Sequence, residues 1–142
     1  MKVVIALLLL LAITQAYRKA GDPIVRTGPE LEKYLAGDLQ GTFILFFYKS
    51  TAPSRRTSAV RSEVKSKILD KNPNFHYYEL DIDSGSFNDV VEEMKVDVTE
   101  LKHSPTIMVA SEGIGYWSHG EGAVDDIVNH LSDYSGELRR RK

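Results

Sequence analysis

The chain has 142 residues, 42% of them apolar and 27% charged, which suits one compact domain and leaves too little chain for two. A net charge of −2 argues against the strongly basic class of nucleic-acid binders. The absence of cysteine excludes disulfides, thiolate metal sites and any thiol redox chemistry of the chain's own.

The chain opens with MKVVIALLLLLAITQAYRK: one lysine, an apolar run from Val3 to Ile13, then small residues at Thr14 and Ala16. That is the layout of a secretory signal peptide cut after Ala16. As a membrane span it is short, since fifteen helical residues reach roughly 22 Å against the ~30 Å of a hydrocarbon core. Arg18 and Lys19, however, put more positive charge behind the apolar run than ahead of it, which favours an uncut anchor. Both readings stand at this point. Residues 1–16 are a signal peptide or an N-terminal membrane anchor, 17–135 form the folded domain, and 136–142 are a basic tail.

Within the domain, DPIVRT (22–27) predicts a short strand. PELEKYLAGD predicts a helix, with Pro29 at its first position, Glu30 and Glu32 at the positive end, and Gly37 as the stop. Leu31, Tyr34 and Leu35 share one face. The run Phe43 to Tyr48 is apolar without alternation, as in a strand buried on both faces. A helix follows from about Ser54 to Leu69 with an inner stripe of Val60, Val64 and Ile68, and Asn72-Pro73-Asn74 ends it. NFHYYELDI predicts a second central strand, and SFNDVVEEMKV a short helix buried through Val90, Val91 and Met94. PTIMVAS and IGYWSHG predict a hairpin across Glu112-Gly113, and AVDDIVNHLSDY a last helix buried through Val124, Ile127, Val128 and Leu131. The order β-α-β-α-β-α-β-β-α specifies an α/β domain. Its mixed sheet has parallel strands, a C-terminal antiparallel hairpin and helices on both faces.

The stretch FFYKSTAPSRRTSAV carries the chain from a buried strand through a tight turn into a helix. With SPT before the TIMVA strand and the final hairpin and helix, this layout resembles the thioredoxin fold over roughly Asp22 to Tyr134. In that family the turn reads Trp-Cys-Gly-Pro-Cys-Lys. Here Ser50 stands for the tryptophan, Thr51 and Ser54 for the cysteines, Ala52 for the glycine, Pro53 for the proline and Arg55 for the lysine. Ser104-Pro105-Thr106 matches the family's cis-proline loop, and Leu45 replaces its buried aspartate. The resemblance therefore implies a redox-inactive, thioredoxin-like or protein disulfide isomerase-like domain. Thiol–disulfide exchange requires a thiolate, and neither serine nor threonine forms a mixed disulfide.

The resemblance also implies a binding face made of Ser50, Thr51, Ala52, Pro53, Ser54, Ser104, Pro105 and Thr106, where the family receives extended polypeptide. The plainer reading is that the turn only starts a helix, its hydroxyls capping amides and Pro53 near the first position. A minor alternative is a glutathione transferase-like site using the Thr51 or Ser54 hydroxyl, although such enzymes add a helical domain that this chain lacks room for. DIDSGSFNDVVEE places carboxylates as a calcium loop would, but its glycine is displaced, so it reads as a turn and helix start. His76, His103, His119 and His130 show no ligand spacing, with His103 the one beside the Ser104-Pro105 loop. No phosphate loop is present. Neither a cofactor nor a metal is expected. Arg55, Arg56, Arg61, Lys65 and Lys67, with Arg139 to Lys142, form either a solvated face or a patch for an acidic partner or anionic headgroups.

The function expected is non-catalytic: an adaptor or chaperone-like protein of the secretory pathway, in the endoplasmic reticulum lumen or secreted, that binds a protein partner or polypeptide client and no nucleic acid. Arg139 to Lys142 do not form a Lys/His-Asp-Glu-Leu retention signal, which weakens the lumenal version. The alternative is an accessory subunit of a membrane complex, tethered by the uncut N-terminal segment.

Overall fold

The computed structural model describes residues 21–134, so the expected leader or anchor and the basic tail lie outside the described residues. Helix α1 spans Gly28–Lys33 and widens into a π-type turn at Tyr34–Asp38. Thr27 starts it by accepting the Glu30 N–H on its side chain, Pro29 occupies the first turn, and Gly37, at φ 131°, ends it in a conformation that a side chain would strain. Strand β1 (Thr42–Tyr48) leads through the Ser50–Pro53 turn into α2 (Ser54–Val64), which runs on as a π-type turn at Lys65–Leu69. Then come β2 (His76–Asp81), α3 (Asn88–Glu93), β3 (Thr106–Ser111), β4 (Ile114–His119) and α4 (Ala123–Tyr134).

The sheet order is β2-β1-β3-β4, with β1 parallel to β2 and antiparallel to β3, and β3 antiparallel to β4. Glu112 (φ 53°) and Gly113 (φ 78°) make the two-residue hairpin turn, whose positive φ values match the twist of the paired strands. Alternation along β1 divides the core. Phe43, Leu45 and Phe47 join Leu31 of α1 and Val90 and Val91 of α3 on one face. Ile44 and Phe46 join Val60, Val64 and Ile68 of α2 and Val124 and Ile127 of α4 on the other. The mixed sheet with helices on both faces is thus present.

Two details differ from the sequence reading. Residues 22–27 form no strand. Pro23 has no N–H to give to a ladder, and the segment is held through side chains instead. Asp22 Oδ2 meets buried His76 Nδ1 at 2.8 Å, the Pro23 carbonyl accepts the Tyr78 hydroxyl at 2.9 Å, and Val25 packs on the core. In α4, Val128 remains 36% exposed, and Ala123 and Leu131 fill that side.

The end of α3 carries a correctable strain. Lys95 lies at φ 55°, its N–H bonded to Glu92 O, while the Val96 N–H bonds Val91 O, both at 3.1 Å. This pair of bonds closes a helix in the conformation that glycine prefers. Relief of a left-handed side chain is worth about 1–2 kcal/mol and the added chain entropy of glycine opposes it by about 0.5–1 kcal/mol. Lys95→Gly is therefore expected to raise stability by roughly 0.5–1 kcal/mol, seen as a higher thermal midpoint. A lowered midpoint would refute this account of the helix end.

Candidate functional site

The strand register brings the sequence-predicted residues to one end of the sheet. Phe47 pairs with Thr106, Tyr48 with Asp81, and Thr106 with His119. The turn that continues from Tyr48 and the loop that precedes Thr106 therefore share the end where the parallel strands β1 and β2 finish, the usual ligand end of such sheets.

Lys49 to Ala52 form a tight turn closed by the Ala52 N–H on Lys49 O at 3.0 Å. Its polar groups do not cap α2, which has no side-chain cap; the residue before it is Pro53, whose carbonyl accepts from the Thr57 N–H. They turn instead to two aspartates at the end of β2. The Thr51 hydroxyl donates to Asp83 Oδ2 at 2.8 Å, the Thr51 N–H to the same oxygen at 3.0 Å, and the Ser50 hydroxyl to it at 3.3 Å. The Ser50 N–H donates to Asp81 Oδ1 at 3.1 Å, which also accepts the Asp83 N–H at 3.1 Å. Lys49 Nζ lies 3.3 Å from Asp83 Oδ1. The backbone and hydroxyl bonds from Thr51, followed by Lys49, hold the Asp83 carboxyl below the usual carboxylate range. Asp81, Asp83 and Lys49 thus join this end of the sheet, a placement that the sequence did not single out. The available signal was Asp81-Ile82-Asp83 at the end of the second central strand.

Exposure divides the eight predicted face residues. Ser50, Thr51, Pro53 and Ser54 are exposed and Ala52 is half-buried, whereas Ser104, Pro105 and Thr106 are buried beneath the surface. Thr106 Oγ1 lies 3.0 Å from His119 Nδ1. Ser104 Oγ is buried without a hydrogen-bond partner among the described residues. No peptide bond among the described residues is cis, so the Ser104–Pro105 bond has the trans form that Xaa-Pro bonds favour by default, unlike the cis form the resemblance implied. Leu45 is fully buried among apolar side chains, so the position of the family's carboxylate holds no proton carrier.

The basic helix face is mostly neutralised. Arg61 forms a forked ion pair with Glu79, Lys65 pairs with Asp70, and Lys67 bridges Glu63 and Asp125. Arg55 and Arg56 remain exposed beside the turn, while Arg139 to Lys142 lie outside the described residues. His103 is exposed next to Ser104, and His130 stacks on Tyr116 with ring centroids 4.0 Å apart. Among the described residues no helix is long and apolar enough to cross a membrane, and no three potential metal ligands come together.

The chemistry open to this end is limited. No thiol is present to exchange. The Thr51 hydroxyl already donates to a carboxylate, whose charge would repel a glutathione thiolate placed there.

Comparison with known proteins agrees at the level of the fold. The structure is similar to a cysteine-to-serine thioredoxin variant of Entamoeba histolytica, at 14% identity and TM-score 0.54 over 77% of this chain and 95% of that one. It is similar to oxidised thioredoxin O2 of Arabidopsis thaliana, at 18% identity and TM-score 0.57 over 78% and 92%. A chloroplastic thioredoxin z matches at 14% identity and TM-score 0.53 over 79% and 99%. No protein-family model and no curated protein sequence matches. The fold is thioredoxin-like, and the chain has no cysteine to serve it.

Proposed function

We propose that the protein is a non-catalytic binding module that offers the former redox end of a thioredoxin-like domain to a protein partner. The observation that carries this reading is the Asp81–Asp83 clasp: a turn with no reactive group is still held in a defined, exposed shape. Pre-organisation of that kind lowers the ordering cost of binding a protein surface. Ser50, Thr51, Ala52, Pro53 and Ser54 form the contact surface, and the buried Ser104, Pro105 and Thr106 lie at the same end of the sheet.

The test is quantitative co-purification of the full chain from its native source. Ala52→Arg with Ser54→Arg adds bulk at the surface and leaves the clasp intact. It is expected to lower recovery of a stoichiometric partner by about tenfold. Unchanged recovery, or no stoichiometric partner for the unaltered chain, overturns the reading.

The apolar N-terminal run supports placement in the secretory pathway, in the endoplasmic reticulum lumen or outside the cell. A mature N-terminus at Tyr17 is the expected result. A native chain that begins at Met1 and needs detergent for extraction supports the anchored accessory subunit instead.

A further inference from the structure

A second surface lies at the other end of the sheet, about 20 Å away by the length of β1. There α1, α3 and the β3–β4 hairpin enclose a pocket of about 530 Å³. Ile114 and Trp117 on its wall are 53% and 41% exposed, and Met94 and Met108 add further apolar surface. Between Ile114 and Tyr116 the strand has Gly115, so the wall lacks a side chain there. A Cβ added to Gly115 would meet Met108 Sδ and Val109 O at 3.4 Å, an ordinary contact.

Charge distinguishes this pocket from a plain packing defect. Glu32 of α1 and Glu93 of α3 both line it, close enough for each to feel the other's charge, with Asp89 close by, and no lysine, arginine or histidine among the described residues lines it. Burial, followed by the charge of Glu93, pushes the Glu32 carboxyl above its ordinary range. A raised carboxyl pKa favours the fold in acid and withdraws that support as pH rises through the folded value. Two like charges thus line the pocket with no cation beside them there, and a cation placed between them would offset both.

We infer that this pocket docks a partner polypeptide segment that sets an apolar side chain over Gly115 and a lysine or arginine between Glu32 and Glu93. β4 is an edge strand of the sheet, paired on one side only among the described residues, so its outer backbone groups can extend the contact by strand addition. Trp117 gives the cation an aromatic face. The surface is separate from the turn and does not depend on a partner there.

Trp117 is the only tryptophan in the chain, so its fluorescence reports on the pocket alone. The probe is the peptide acetyl-Leu-Lys-Val-Arg-Leu-amide, titrated into the full chain. A saturable change in emission is expected, with affinity weakened about tenfold by Glu32→Gln with Glu93→Gln, and by Gly115→Val, which fills the gap with a strand-favouring side chain. The same peptide with glutamate for lysine and arginine is expected to give no change. Thermal melts establish that both variants fold; if Gly115→Val does not, the carboxamide pair decides alone. No saturable change, an equal response to the acidic peptide, or indifference to the substitutions overturns the inference. So does a full response to n-butylammonium alone, which makes the occupant a small cation. Binding that appears only after Arg139 to Lys142 are changed to glutamine makes it the chain's own tail and also overturns it. Partner recovery at the turn is expected to be unaffected by these pocket substitutions, so the two surfaces fail separately.

Discussion

Glu79→Ala is expected to destabilise the fold by about 3 kcal/mol, a large share of the roughly 5–15 kcal/mol that holds a domain of this size. Glu79 lies on β2 with its side chain 9% exposed, and Arg61 of α2 with 18%. Arg61 Nε donates to both Glu79 oxygens at 2.9 and 3.0 Å, and Nη2 lies 2.8 Å from Oε1. The Tyr77 hydroxyl donates to Oε2 at 2.9 Å. The guanidinium also lies 5.4 Å from the Phe46 ring centroid and 5.6 Å from that of Tyr48. Removing the carboxylate leaves a largely desolvated cation that cannot give up its proton, so the loss is greater than that of an exposed pair. Denaturant unfolding measures it. A change below about 1 kcal/mol would mean that solvent screens the pair as it screens a surface pair.

The second large effect concerns chemistry. Thr51→Cys combined with Ser54→Cys restores the two thiols at the family spacing, and the doubly substituted chain is expected to form an intramolecular disulfide on oxidation. It is expected to be a slow reductant of insulin near neutral pH. The Asp83 oxygen that now accepts from Thr51 at 2.8 Å would stand beside the first thiol and disfavour its thiolate. Adding Asp83→Asn should raise the rate roughly three- to tenfold. The gain in thiolate fraction is partly offset by the lower nucleophilicity of a more acidic thiol. A triple variant that never forms the disulfide would show that the turn does not hold positions 51 and 54 in exchange geometry.

Much of this was legible in the chain itself. The uninterrupted apolar run at Phe43 to Phe47 placed β1 between two layers, and the spacing of Val60, Val64 and Ile68 oriented α2 on it. Glu112-Gly113 announced the hairpin. What stayed hidden depended on contacts between distant residues. Asp83 lies 32 residues from Thr51, and only the parallel register of Tyr48 with Asp81 brings the two together. The basic stripe left a solvated face and a partner patch both open, and its pairing stayed hidden because Lys67 finds Asp125 across 58 residues. Ser104 and Thr106 looked like groove-lining hydroxyls, yet neighbouring elements cover them, and composition carries no trace of that cover. DPIVRT had strand-like residues, but Pro23 and the side-chain ties of Asp22 hold it beside the sheet instead.

The clasp between the turn and Asp83 is tested most directly by the amide proton of Thr51. Its NMR resonance should lie downfield at neutral pH, as expected for a charge-assisted bond to a carboxylate. Because the Asp83 carboxyl is held below its ordinary value, stability from the clasp is present above the usual carboxylate range and is lost as pH falls through the lower folded value. The resonance should move upfield with that midpoint, and in Asp83→Ala it should lie upfield at every pH while β1 amides stay in place. A Thr51 amide at its unstructured position at neutral pH, or one indifferent to Asp83→Ala, would contradict the clasp.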